Sequence, residues 1–77
     1  MQLTPQELQR KITARDAFNH KFCVRGQRRI WEAHMVTTSN IPYEVFVRDG
    51  VSVQTLLDTG NPYALRLVKL VLGKDDG

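Results

Sequence analysis

The sequence predicts a compact all-α single domain of four to five short helices around a C-terminal core helix. The segment Asn61–Leu72 begins with an N-cap residue and a proline at the first helical position, and Gly73 follows it. Only Arg66 and Lys69 are charged within it, and a helix that is apolar on most of its circumference is normally buried. Outside residues 43–47, no stretch alternates polar and apolar residues with the period of a strand.

Two helices are predicted in the first half of the chain. The first begins with a capping box formed by Thr4 and Glu7 and is expected to end near residues 19–21. The second is predicted over Phe22–Met35. Gly26 falls inside it and costs about 1 kcal/mol relative to alanine, unless a neighbouring helix approaches closely. We therefore expect a helix crossing at this glycine.

Shorter elements are predicted in the second half. Residues 36–40 are rich in β-branched and hydroxyl side chains and favour a loop ending in a cap at Ser39 or Asn40. Helices are expected over residues 42–48 and 52–58, and each is followed closely by a glycine that can end it. The segment Val51-Ser52-Val53 is too short to predict a strand, and residues 74–77 are expected to form a disordered tail.

Length and composition predict one domain, residues 1–77, with room for a single hydrophobic core. The net charge of +3 and the pI of about 9.4 favour anionic partners only mildly. One cysteine cannot form an internal disulfide, and no apolar run approaches the ~20 residues that span a bilayer. We expect a cytoplasmic protein that does not enter membranes.

Three segments resemble a family of small uncharacterised proteins encoded by tailed bacteriophages and prophages: Cys23–His34, Val45–Val51 and Leu56–Val68. The resemblance covers roughly the last two thirds of the chain. It implies a phage origin, and therefore the cytoplasm of a bacterial host or the virion, but no activity. The chain departs from the family pattern after His34, where Met35–Asn40 replaces an expected glycine and short acidic turn.

Metal binding and catalysis are not expected. The soft ligands His20, Cys23 and His34 are too few for a tetrahedral zinc site, and Cys23 is interpreted as a small buried apolar residue. The carboxylates are scattered along the chain, and no nucleophile stands beside a base. The glycines lack the spacing of a phosphate-binding loop. We therefore predict a protein that is not an enzyme and has no cofactor.

A basic face on the second predicted helix is the candidate binding surface. Arg25, Arg28 and Arg29 recur there at helical spacing, Lys21 precedes them and Trp31 lies alongside. Arginine and tryptophan concentrate binding energy at protein interfaces, and arginine also pairs with phosphate. The alternative is an ordinary solvated face, with Arg28 paired to the glutamate four residues later and Trp31 half-buried.

A helix-turn-helix spanning residues 53–72 is disfavoured, because its second helix would offer only Asn61, Arg66 and Lys69 to base edges. The leading hypothesis is a non-enzymatic phage-type protein that binds a phage or host protein, either as a virion or assembly component or as a host-protein adaptor. The alternative is a DNA-binding regulator in which Arg25, Arg28 and Arg29 contact phosphates. The oligomeric state stays open.

Overall fold

Helices make up most of the chain in a computed structural model, which describes residues 2–22 and 24–74. The elements are α1 (Pro5–Gln9), β1 (Lys11–Ile12), α2 (Ala14–Asn19), α3 (Gln27–Trp31), a π-helical segment (Glu32–Val36), α4 (Thr37–Ser39), α5 (Tyr43–Arg48), β2 (Val51–Ser52), α6 (Val53–Asp58) and α7 (Pro62–Leu72). The structure is therefore mostly helical, with a small sheet of two strands that the sequence did not predict.

Side-chain caps fix the starts of several helices where the sequence predicts them. The Thr4 hydroxyl accepts a hydrogen bond from the Glu7 backbone N–H, and the Glu7 carboxylate accepts one from the Thr4 N–H. Ser52 caps α6, and the Asn61 side chain accepts from the Tyr63 N–H at the start of α7. Gly73, at φ +71°, ends α7. These predictions are confirmed.

The first predicted helix is wrong in its extent, because it divides into α1, β1 and α2. Thr13 and Asp16 form a second capping box, so a new helix begins after Thr13. Ile12 lies just before it and is completely buried in extended backbone. The β-branched side chains of Ile12 and Thr13 favour this extended conformation. The pattern Thr-x-x-Asp was the sequence signal for the break.

The two strands pair antiparallel, with Lys11 opposite Ser52 and Ile12 opposite Val51. The segment around Val51 is thus a strand, contrary to the expectation that it was too short to form one. Gly50 precedes it at φ +80°, and a Cβ there would lie 2.9 Å from Thr13 Cγ2. Only glycine therefore allows the chain to turn out of α5 and approach β1 this closely.

The second predicted helix is displaced towards the C-terminus. It begins at Gln27, and Gly26 lies before it at φ +71° with open space around its Cα. The expected helix crossing at Gly26 is therefore wrong. The predicted loop at residues 36–40 is helical as far as Ser39, and Asn40 ends the helix at φ +54°.

Threonine side chains support the helix where a loop was predicted. The Thr37 hydroxyl donates a 2.6 Å hydrogen bond to the Ala33 carbonyl, and the Thr38 hydroxyl donates to the His34 carbonyl. Both bonds run to the residue four positions earlier, so these hydroxyls satisfy helical carbonyls instead of bonding to a turn. The π-helical turn lies in the same place, and such turns often occur at functional sites.

One hydrophobic core connects the elements, and the radius of gyration of 11.4 Å matches the ~11.5 Å expected for a chain of this length. The helix α7 contributes Ala64, Leu67, Val68 and Val71 to it, whereas Leu65 is 39% exposed. The remaining buried apolar residues are Ile12, Ala14, Ala17, Phe22, Trp31, Met35, Phe46, Val51, Val53 and Leu56. Tyr63, Leu70 and Leu72 are partly buried against the same core, so the C-terminal helix is roughly the core helix that the sequence predicts, with Leu65 and Arg66 on its exposed side.

Two predictions fall at the edge of the described structure. The burial of Cys23 and the disorder of residues 75–77 lie outside the described residues. Lys74 is described, and its Nζ lies 3.5 Å from a carboxylate oxygen of Glu7. None of the described helices has the length and hydropathy that a membrane crossing requires.

Candidate protein-binding surface

The basic residues predicted to form a binding surface all have exposed positions. Lys21 lies just after α2 at φ +57°, and Arg25 precedes α3. Arg28 and Arg29 lie in the first turns of α3. Within the described residues, neither Arg25 nor Arg29 forms an ion pair. These two guanidinium groups are therefore available to a partner.

Arg28 differs from the other two arginines because carboxylates from two elements surround it. Its Nη2 lies 3.1 Å from Glu44 in α5, and its Nε lies 3.7 Å from Glu32. Its guanidinium carbon is also 6.0 Å from the centre of the Tyr43 ring. The Arg28 side chain remains 63% exposed, so these ion pairs contribute little stability. They orient the guanidinium group and reduce the net positive charge of the surface.

Trp31 does not belong to this surface. Its side chain is completely buried, and its indole N–H donates a 2.9 Å hydrogen bond to the Ile41 carbonyl. Its ring stacks against Phe46. This burial corrects the placement of Trp31 beside the exposed arginines, because a buried ring offers no contact area to a partner. The largest apolar side chain of the segment stabilises the core.

An open cleft of about 320 Å³ lies between α3 and α5, and we call it the arginine cleft. Its lining residues are Arg28, Tyr43, Glu44, Val47 and Arg48. Val47 is 49% exposed and provides apolar surface, while the two arginines and the glutamate provide charge. An apolar centre with a charged rim is the usual composition of a protein interface.

Buried hydrogen bonds hold Tyr43 in place at this cleft. Its hydroxyl donates a 2.6 Å hydrogen bond to Oε1 of Gln27, which is only 3% exposed. The amide of Gln27 in turn donates to the Phe22 carbonyl at 3.5 Å. The tyrosine ring is therefore oriented before any partner binds, which lowers the entropic cost of association.

A second cleft of about 240 Å³ lies where α7 meets the helical segment containing His34, and we call it the His34 cleft. It is lined by Phe22, His34, Pro62, Tyr63 and Arg66. A third, of about 350 Å³, is lined by Thr38, Ser39, Ile41, Thr55, Asp58 and Thr59. Within residues 2–22 and 24–74, no group of three or more metal-ligating side chains is close enough to hold an ion.

Comparisons with protein-family models, with curated proteins and with solved structures found no match to this chain.

Sequence reasoning placed the arginines correctly on the outside but missed their neighbours on α5. Tyr43 and Val47 are four residues apart, as are Glu44 and Arg48, so both pairs share a face of a helix. That spacing could have indicated a mixed surface on α5. Its position opposite Arg28 depends on tertiary packing, because Arg28 and Glu44 are 16 residues apart.

Proposed function

We propose that this chain is a non-enzymatic domain that binds another protein through the arginine cleft together with Arg25 and Arg29. The observation that carries the proposal is the exposed apolar surface of Val47 in a cleft that is also lined by arginines from two helices. Arginine is enriched among the residues that dominate binding energy. Arg25 and Arg29, which form no ion pair within the described residues, complement carboxylates on the partner.

The size of the chain sets the extent of such an interface. A stable protein interface covers about 800 Å² on each partner, which is roughly one sixth of the 5168 Å² surface of this chain. The arginine cleft is smaller than that area and takes only a few partner residues. We therefore expect the interface to extend beyond the cleft to Arg29 on α3 and to Arg25 just before it.

A comparison of two double variants tests the proposal. Val47→Ser with Arg29→Ser removes apolar area and one free charge from the proposed surface. Once a captured partner is identified and purified, calorimetry should show binding weakened at least about tenfold, since each interface anchor contributes on the order of 1–2 kcal/mol. Circular dichroism should show an unchanged fold, because both side chains are exposed.

The matched control is Leu65→Ser with Arg10→Ser, which likewise replaces one partly exposed apolar residue and one arginine by serine, on α7 and at the end of α1. Leu65 is 39% exposed and Arg10 is exposed. This control should bind with the affinity of the original chain. Equal affinity for both double variants would reject the arginine cleft as the binding surface.

A DNA-binding regulator is the second candidate, and the free charges of Arg25 and Arg29 favour it. Glu32 and Glu44 already neutralise Arg28, so two phosphate contacts are expected instead of three. The logarithm of affinity should then fall against the logarithm of salt concentration with a slope of about −1.8. A gel-shift titration measures this slope, and no binding at low salt would exclude this candidate.

The proposed setting is a bacteriophage protein, acting in the cytoplasm of the host or in the virion. It is supported only by the resemblance of residues 23–34, 45–51 and 56–68 to small phage and prophage proteins. In that setting the partner is a phage protein during assembly or a host protein that the phage modifies. Identification of the captured protein from infected cells distinguishes these two roles.

A further inference from the structure

The His34 cleft combines aromatic rings with positive charge. Among its described lining residues, Arg66 is the charged side chain and no carboxylate is present. Each of the other two clefts contains a carboxylate, Glu44 in one and Asp58 in the other. An anionic group can therefore enter the His34 cleft without repulsion from a lining side chain.

Aromatic contacts build the wall of this cleft. The imidazole of His34 lies nearly parallel to the Tyr63 ring, with 5.2 Å between centroids and 6° between planes. Phe22 packs against the same tyrosine with 5.1 Å between centroids. Trp31 meets it edge-on at 6.2 Å. Tyr63 is thus held between buried rings and supports His34, whose exposed surface faces solvent.

The backbone around His34 is fixed as well. Its carbonyl accepts a hydrogen bond of 2.6 Å from the side-chain amide of Asn61 and another from the Thr38 hydroxyl. Asn61 is the N-cap of α7, the helix that carries Tyr63 and Arg66. This contact fixes the π-helical segment relative to α7, so the backbone positions that carry His34 and Arg66 keep a defined spacing.

We propose that the His34 cleft binds a nucleotide, whose base packs on the His34 ring and whose phosphate pairs with Arg66. Flat aromatic bases stack on protein rings whatever their identity, and arginine is the side chain best suited to phosphate. The volume of about 240 Å³ is below the range of about 300–1,000 Å³ for sites that enclose a whole ligand. The cleft therefore accommodates one base and its phosphate.

This site shares no lining residue with the arginine cleft. It does not depend on the proposed protein-binding function, and variants can separate the two. Arg66→Gln should leave the affinity for a protein partner unchanged. Arg29→Gln should weaken the binding of the protein partner and leave the binding of the nucleotide unaffected.

The test is a nuclear magnetic resonance titration of the ¹⁵N-labelled full chain with adenosine 5′-monophosphate, with adenosine, and with a short single-stranded oligoadenylate. The backbone signals of His34 and Tyr63 should shift and saturate with the monophosphate. His34→Ala should weaken this binding about tenfold, because it removes one stacked ring. Arg66→Gln should weaken it about threefold, as expected for an exposed charge pair.

Adenosine isolates the role of the phosphate. It should bind the original chain more weakly than the monophosphate, and this difference should disappear in Arg66→Gln. Arg29→Gln is the matched charge control and should bind the monophosphate like the original chain. Dispersed spectra of each variant show that it is folded, and Arg66→Gln tests the site even if His34→Ala fails to fold.

The ligands also distinguish a free nucleotide from one within a strand. If the shifts saturate with the monophosphate, the natural ligand of the cleft is a free nucleotide. If only the oligoadenylate binds, and His34→Ala and Arg66→Gln each weaken its binding, the ligand is a nucleotide within a strand. The proposal is overturned if no ligand gives saturating shifts, or if Arg29→Gln weakens binding as much as Arg66→Gln does.

Discussion

Trp31 and Phe46 lie face to face in the centre of the core, with ring centroids 4.0 Å apart and planes at 8°. Both are completely buried. The pair joins α3 to α5, which are the two helices that form the arginine cleft. The packing of two core rings therefore sets the distance between Arg28 and the side chains of α5.

Replacing Trp31 with alanine should cost about 3–5 kcal/mol, because it leaves a cavity and an unpaired Ile41 carbonyl. The whole stability expected for 77 residues is roughly 4–12 kcal/mol, so this variant should lose between about a quarter and all of its stability. Phe46→Leu keeps most of the apolar volume and should cost less. Urea denaturation measures the free energy of unfolding of both variants. A decrease of less than about 1 kcal/mol for Trp31→Ala would contradict the place of Trp31 in the core.

Gly50 and Gly60 form a matched pair for testing the close approach of β1 to β2. Both have positive φ, at +80° and +66°, but only Gly50 has neighbours near a Cβ position. Gly60→Ala should cost about 1 kcal/mol for the left-handed backbone alone. Gly50→Ala adds contacts of 2.9 Å to Thr13 Cγ2 and 3.0 Å to the Ile12 carbonyl, and should cost about 2–4 kcal/mol. Thermal unfolding compares the stabilities of the two variants. An equal loss of stability in both would show that the contact of Gly50 with β1 is absent.

Lys21→Gly should stabilise the protein by about 0.5–1 kcal/mol. Lys21 adopts φ +57° just after α2, where the Phe22 N–H donates to the Ala17 carbonyl at 2.8 Å and the Lys21 N–H donates to the Phe18 carbonyl at 2.9 Å. This is the hydrogen-bond pattern of a helix end that favours glycine at the Lys21 position.

The control for this substitution is Arg10→Gly. Arg10 follows α1 at φ −63°, where glycine brings no relief and adds freedom to the unfolded chain. It should therefore lower the midpoint of unfolding while Lys21→Gly raises it. A lowered midpoint for both would contradict the left-handed conformation of Lys21.

Asn61 should contribute to stability in two separable ways. Its Oδ1 caps α7, and its Nδ2 donates to the His34 carbonyl at 2.6 Å. Asn61→Ser keeps a capping oxygen but is too short to retain the amide bond, and should cost about 1 kcal/mol. Asn61→Ala loses both and should cost about 2 kcal/mol. Chemical denaturation separates the two: equal costs for both variants would mean that the cap contributes nothing, and no cost for Asn61→Ser would mean that the bond to His34 contributes nothing.

Acidification should weaken the N-terminal cap. Hydrogen bonding from the Thr4 backbone lowers the pKa of Glu7 below its ordinary value of 4.5, and the nearby Lys74 charge acts in the same direction. A carboxyl whose pKa is lower in the folded state stabilises the fold above its unfolded pKa and loses that effect as pH falls through the folded value. The stability difference between the original chain and Glu7→Gln should therefore shrink below about pH 4.5.

Thermal unfolding of both proteins between about pH 7 and pH 3 measures this difference. A difference that stays constant over the range would show that the folded and unfolded chains hold Glu7 at the same pKa. The glutamine is a suitable comparison because it can accept the same capping bond without titrating.

The sequence by itself determined the starts of α1, α6 and α7 and the end of α7. These depend on Thr4, Ser52, Asn61 and Gly73, each of which acts on backbone groups within a few residues of itself. It also determined that the arginines of α3 face outward, because a charged guanidinium group is costly to bury without a partner. Local physics was sufficient for these features.

Only the tertiary structure decided the strand pair, the burial of Trp31 and the composition of the clefts. Ile12 pairs with Val51, Trp31 stacks on Phe46, and Arg28 meets Glu44, in each case across a long separation in the chain. Such contacts depend on how apolar surface is shared among all the helices at once. The basic face with Arg28 and Arg29 was therefore predictable, but the apolar contact area of the arginine cleft comes from Val47 on another helix.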